Sequence, residues 1–325
     1  MKRHLAFAVI AAAFILPLRA SEIRVSLLND AAVLNETAEL LLQNGSSSES
    51  VEAFRKAVHF HKTELFDTSK FPKKAGGFYY FKNVDELNKA IPDPFCKNTT
   101  TNDLAYNSLE CLDVVVLLTK DAGAKASQLQ DDFATKNFAK QKNRGSKENP
   151  DYVINPVTSY SFYQNGRTLL YPTNGYTWIT GLTRTVGEVD LAVSLKGERL
   201  LPGKFEDTDP AIRKLFAIWN TLRKKDGLTF PKKIKIVSCG YIPMRFQYWG
   251  IDHVAIFIKN HGKLVYLEKN GVSGPFLRVD FNDEKELGEF VANKLLPESR
   301  NPKEINFGAP VFVSINDRLI RIERP

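Results

Sequence analysis

The chain has 325 residues, 43% of them hydrophobic and 25% charged, with a formal net charge of +8 and a pI near 9.2. That composition is globular, and the length suits one elaborated domain or two. The basic residues do not gather with aromatics in one stripe, so no nucleic-acid partner is expected; an anionic envelope or polymer surface suits such a balance.

A basic start at Lys2 and Arg3, an apolar run over 5–18 and small residues at Ala20 and Ser21 predict a secretory signal peptide over residues 1–20. Its removal takes away Lys2, Arg3 and Arg19 and no acid, lowering the charge from +8 to +5. The run is short for a membrane span, and no cysteine follows it to carry a lipid. No later segment has the unbroken apolar length of a membrane helix, so the expected location is secreted or periplasmic. Cys96, Cys111 and Cys239 are too few and odd in number for a disulfide scaffold. At least one thiol is left over in an oxidising compartment, and burial or chemistry must account for it. Asn35, Asn44 and Asn98 each open a glycosylation tripeptide.

Ala32, Val33, Ala38, Leu40 and Leu41 predict a helix over 29–42, stopped by Asn44-Gly45-Ser46-Ser47-Ser48. A second helix starts at Ser48, with Val51, Phe54, Val58 and His61 on one face. His59 and His61, two residues apart, point to different sides of it and make no metal pair. Residues 76–81 read as an aromatic strand and 84–90 as a small helix ended by Pro92-Asp93-Pro94. The run over 107–119 is buried in either form: periodicity does not separate helix from strand, and Val114, Val115 and Val116 favour strand on propensity.

A helix over 124–140 and a punctuated loop over 141–155 follow. From residue 158 the pattern turns to β, with a hairpin about Asn165-Gly166 and alternation over 189–195 and 233–238. A helix over 210–225 interrupts it. After residue 250 come a long hairpin, a strand over 276–281, a helix over 283–294, and closing strands over 311–313 and 319–322. The expected fold class is α+β, with a helical part over 21–150 that carries Cys111 and a β-rich part over 151–325 that carries His253. The two parts make one composite domain, its helices packed on a mostly antiparallel sheet or small barrel.

The long hairpin holds the chemistry. Asp252-His253-Val254-Ala255-Ile256-Phe257-Ile258 places a histidine at the mouth of one strand, and Leu264-Val265-Tyr266-Leu267-Glu268-Lys269-Asn270 returns beside it. A nucleophilic cysteine needs its general base held in this way. Tyr266, Glu268 and Asn270 alternate onto one face, where a polar group can orient the imidazole, while Val265, Leu267 and Lys269 point away. Asp252 faces opposite to His253, and His261 sits exposed in the turn.

Two cysteines compete for the imidazole. Cys111 lies 142 residues before it and, if its run is a helix, opens that helix behind Ser108, where free amides and the dipole favour a thiolate. Cys239 ends a strand only 14 residues before His253 but lacks the dipole. Cys111 has two structural alternatives, a buried core thiol or half of a disulfide with Cys96, and His253 has its own, a satisfied sheet-edge histidine bonded to a backbone carbonyl. Tyr248 and Trp249 are candidates for a groove wall or for core. Neither a glycine-rich phosphate loop nor zinc-ligand spacing is present, so no cofactor and no metal are expected.

His253-Val254-Ala255-Ile256-Phe257-Ile258 with Gly262-Lys263-Leu264-Val265-Tyr266 resembles the histidine hairpin of NlpC-type, papain-like cell-wall peptidases and amidases. Leu109-Glu110-Cys111-Leu112-Asp113-Val114-Val115 resembles their cysteine-led helix, with Glu110-Cys111-Leu112-Asp113 where they usually read Asp-Cys-Ser-Gly. The stretch from Glu268-Lys269-Asn270 through Gly274-Pro275-Phe276 resembles a strand-and-turn pattern of secreted bacterial proteins in that superfamily. The resemblance leaves an insertion over 125–232. It implies a papain-like frame with Cys111 as nucleophile, His253 as base, and Tyr266 in the usual third position with Glu268 as competitor. The implied activity is amide hydrolysis on a peptide or peptidoglycan-like substrate. Acyl transfer would use the same dyad, and a non-catalytic envelope binding or scaffold protein could keep the same frame.

Overall fold

Strands from both ends of the chain meet in one sheet. The computed structural model describes residues 22–60, 67–91, 111–119, 121–122, 230–241, 250–270, 274–304 and 307–325, with positions 209, 210, 212, 213, 216 and 217. The strands are β1 (Ile23–Ser26), β2 (Lys74–Ala75), β3 (Phe78–Phe81), β4 (Ile234–Tyr241), β5 (Gly250–Asn260), β6 (Lys263–Lys269), β7 (Phe276–Phe281), β8 (Val311–Ile315) and β9 (Arg318–Glu323). They lie in the order β2-β3-β1-β7-β6-β5-β4-β8-β9, and every pairing is antiparallel. The order has two edges, β2 and β9, so the strands form an open sheet and not a small barrel.

Helices cover both faces. On one lie α1 (Ala31–Gln43), α2 (Ser48–Phe60) and α4 (Cys111–Thr119), packed on Ile236, Val254, Ile256, Ile258, Val265 and Leu267. On the other, α3 (Val84–Ala90), α5 (Glu284–Ala292) and α6 (Leu296–Arg300) pack on Val237, Ala255, Phe257, Tyr266, Leu277 and Val279. The strict alternation of residues along β5 to β7 separates these two cores. The fold class is α+β. Among the described residues no helix is long and apolar enough to cross a membrane.

Local chemistry sets the helix starts. Asp30 Oδ1 accepts from Ala32 N at 3.0 Å and Val33 N at 3.2 Å, capping α1. Asp283 caps α5 through Glu286 N at 2.9 Å, and the Glu286 carboxylate returns to Asn282 N at 2.8 Å. His261 and Gly262, with φ of 46° and 79°, form the two-residue turn between β5 and β6. Two consecutive positive φ values give the turn whose twist matches paired strands.

The first part carries more strand than the expected 76–81: β1, absent from the periodicity reading, lies between β3 and β7 near the middle of one half of the sheet. The run ending at Thr119, left open by periodicity, is a helix despite its three valines. Val114, Val115, Leu117 and Leu118 are all buried between α2 and the sheet. A helix satisfies its backbone internally in such a place, and β propensity yields to burial. Ser46 Oγ donates to the Leu118 carbonyl at 2.7 Å and so satisfies an acceptor in its last turn.

Arg278, fully buried on β7, bonds Asp280 through Nε at 2.9 Å and reaches Glu36 at 2.8 Å and Thr37 at 3.0 Å. Arg24, the register partner of Asp280 on β1, pairs with the same carboxylate. The Phe78 ring takes both guanidinium groups, at 4.7 Å and 5.1 Å. This cluster joins β1, β3, β7 and α1.

The described positions within 210–225 are helical. The signal segment, the expected elements over 124–140, 141–155 and 189–195, the Asn165-Gly166 hairpin, and Cys96, Asn98, His61, Tyr248 and Trp249 lie outside the described residues, as does the side chain of Asp252.

Candidate active site

His253 lies where the sheet stops being regular. Cys239 pairs with His253 but Gly240 pairs with Ile251, so Asp252 is an extra residue on β5. Such a bulge bends and twists its strand, and it immediately precedes the histidine. The ladder between β5 and β6 begins only at Ile256 and Leu267, which leaves His253 and Glu268 beyond its last pair.

The side chains of the hairpin converge there. His253 Nε2 stands 2.6 Å from Glu268 Oε2, and Tyr266 donates its hydroxyl to the same oxygen at 2.7 Å. Tyr266 is 3.5 Å from Nε2, so Glu268 holds the imidazole directly and Tyr266 holds Glu268. Lys294, just beyond α5, brings Nζ to 2.8 Å from Glu268 Oε1 and 2.7 Å from Asn270 Oδ1. Glu268 is 2% exposed and His253 7%. The predicted face of Tyr266, Glu268 and Asn270 is therefore the one that meets the histidine, and Lys269 points to the other core.

Cys111, the first residue of α4, is half-buried with a free thiol and hydrogen-bonds the His253 side chain. The rest of α4 packs on the opposite face of the sheet, so its first turn reaches the imidazole at the strand ends. Cys239 takes a different place. Its thiol is fully buried and donates to the Val291 carbonyl at 3.5 Å, inside the core under α5. His261 is exposed at the far end of the hairpin, and His59 is exposed on α2.

Burial by itself would drive the imidazole toward neutrality. Hydrogen bonds to Cys111 and Glu268, with their charges, outweigh it and raise its pKa from 6.5 to about 9. Burial likewise opposes ionisation of Glu268. The charge of Lys294 and the bond and charge of His253 overcome it, bringing the carboxyl from 4.5 to about 2. Burial, then the charge of Glu268, push the Tyr266 phenol well above its ordinary value, so it remains a neutral donor.

These shifts predict a pH window for stability. The imidazole contribution is complete below pH 6.5 and disappears as pH rises through about 9. The carboxylate contribution is complete above pH 4.5 and disappears as pH falls through about 2. Urea midpoints are expected to peak between those inner limits and to decline toward pH 9. A His253→Gln protein should lack the alkaline decline; a wild-type midpoint flat from pH 6.5 to 9 contradicts the assignment.

Lys294 is absent from the sequence reading, although a signal exists. It follows Leu287 and Phe290 on the buried stripe of α5, where a lysine needs a partner. Among the described residues no three His, Cys, Asp or Glu side chains converge as a metal site would require. A family model described as Domain of unknown function (DUF4300) matches residues 205–319. That stretch includes His253, Tyr266, Glu268, Asn270 and Lys294 and begins after Cys111. No curated protein and no solved structure matches the chain.

Proposed function

We propose that this chain is an exported thiol hydrolase that cleaves amide bonds, with cell-wall peptides as the substrate class and a papain-like arrangement of its reacting groups. The observation that carries the reading is the imidazole of His253 bonded both to Cys111 and to a buried carboxylate. A lone structural histidine needs neither partner to be charged. This one has a nucleophile on one side and an orienting acceptor on the other, which is the logic of an activated thiol.

In the proposed reaction His253 holds the proton and the Cys111 sulfur attacks the amide carbonyl carbon. The C–S bond forms as the carbonyl π pair moves to oxygen, where backbone amides at the start of α4 receive the charge. The oxyanion collapses, the C–N bond breaks, and the imidazolium gives its proton to the leaving amine. Water then adds to the thioester while His253 takes its proton. The C–S bond breaks, releasing the acid and restoring the sulfur. Glu268 keeps the ring in one orientation and stabilises its charged form, and Lys294 and Tyr266 keep Glu268 in place.

Cys111→Ala is expected to abolish cleavage of cell-wall peptides and iodoacetamide labelling of the peptide that carries position 111, with a modest fall in unfolding midpoint because His253 loses one of the two side chains that favour its charged form. Mass spectrometry of the labelled peptide decides between the thiols, since Cys239 is sealed in the core. Cleavage that persists after the substitution, or wild-type labelling confined to the peptides of Cys96 or Cys239, would sink the assignment of the nucleophile.

A further inference from the structure

The end of β6 is tied to the start of β7 by more than the strand ladder. Asn270 N donates to the Pro275 carbonyl at 2.9 Å. Lys269, fully buried, directs its Nζ to the Gly274 carbonyl and lies 5.7 Å from the Phe276 ring centroid. A Cβ on Gly274 would stand 1.7 Å from the Asn270 carbonyl oxygen, so a side chain there would displace backbone. These contacts fix one residue, Asn270.

Asn270 is 3% exposed and shares its strand face with Glu268. Lys294 Nζ, 2.8 Å from Glu268 Oε1, is also 2.7 Å from Asn270 Oδ1, so Asn270 joins the group around His253. Lysine has only donors to offer, so the amide must turn its oxygen to Lys294, 2.7 Å away. The nitrogen is thereby turned from the lysine, and among the described residues Nδ2 has no hydrogen-bond partner although it is buried. Buried donors are nearly always matched, and an unmatched one beside a reacting pair calls for an acceptor that arrives from outside.

We propose that Asn270 is a substrate-binding donor, its Nδ2–H reserved for a carbonyl oxygen in the acyl half of the peptide substrate. The inference rests on the reading of Cys111 and His253 as a hydrolytic pair. Lys294 is then shared between two tasks: it keeps Glu268 ionised and it aims the Asn270 amide. The Gly274-Pro275 turn holds the backbone from which that amide projects.

The test compares two reagents on Cys111 of the full chain: iodoacetamide, which offers little beyond its warhead, and a peptidyl chloromethyl ketone, which presents peptide carbonyls. Asn270→Asp keeps an oxygen for Lys294 and replaces the donor by an acceptor. Its rate with the peptidyl reagent is expected to fall about 10–100-fold through weaker reversible binding, with the iodoacetamide rate changed by no more than about two-fold. Asn270→Leu, neutral and similar in size, is expected to show the same loss and covers the case in which the Asp protein does not fold. A ratio of the two rates within about two-fold of wild type in the folded variants overturns the proposal and leaves the Cys111–His253 reading standing. A native protein whose Cys111 resists both reagents overturns that reading and this proposal together.

Discussion

Glu268→Gln is expected to lower kcat/KM for amide cleavage by about 10³ and to move the alkaline limb of the pH profile down from near 9. The glutamine is isosteric and can still accept from Nε2, so the ring keeps its place. The charge is lost. Burial then acts on the imidazole with one opposing partner fewer, and its pKa falls toward and below the ordinary 6.5. The fraction of enzyme holding a proton ready for the leaving amine at neutral pH falls with it. Lys294 simultaneously loses the carboxylate 2.8 Å away, so a fall in unfolding midpoint should accompany the kinetic loss. A pH profile of iodoacetamide labelling separates the two effects, because a purely structural role for Glu268 would lower the midpoint without moving the limb. An unmoved limb rules out the electrostatic role.

Asp280→Asn is expected to destabilise the protein by about 3–5 kcal/mol, the range for removing one partner of a buried pair. In a chain of this size that corresponds to roughly 10 °C in Tm. Asp280 serves two guanidinium groups, Arg24 and Arg278, and is itself fully buried. With a neutral side chain there, both cations lose their shared carboxylate beside the Phe78 ring, and among the described residues the half-exposed Glu36 still offsets Arg278 alone. Thermal unfolding measures the loss, and labelling of Cys111 in the folded fraction should stay at the wild-type rate. A loss below about 1 kcal/mol would place the cluster with ordinary surface pairs.

The stretch from residue 250 to 281 is readable because its code is local. His253 to Ile258 and Leu264 to Glu268 alternate without interruption, and a histidine and glycine in the turn supply the two positive φ values that the hairpin needs. Strand alternation alone puts Tyr266, Glu268 and Asn270 on one face. Which of them holds the imidazole was not readable. The resemblance favours Tyr266 for the third position, whereas the distances give Glu268 the imidazole and Tyr266 the carboxylate. Reach across a splayed strand end decides that, and reach is not written in spacing.

Other features escaped for similar reasons. Four residues of β1 carry too little pattern to announce a strand, and their partners lie far along the chain. The valines of α4 argue for strand, and burial between α2 and the sheet overrules them. Lys294 belongs to the site only because α5 ends over the mouth of the hairpin, which is a tertiary fact.

The position of β1 has a consequence for how the chain reaches this state. Arg24 and Asp280 are 256 residues apart, yet they sit opposite each other in neighbouring strands. Closing so long a loop adds little to the final free energy, since the entropic cost grows only with the logarithm of its length, but it slows the search. Until the segment containing β7 is available, β1 has only β3 to pair with, and until the two meet the sheet keeps an unpaired edge at β7. Pairing of β1 with β7 is therefore expected to come late in folding. The hairpin that carries His253 can form early and alone, whereas completion of the sheet waits for the two ends of the chain to find each other.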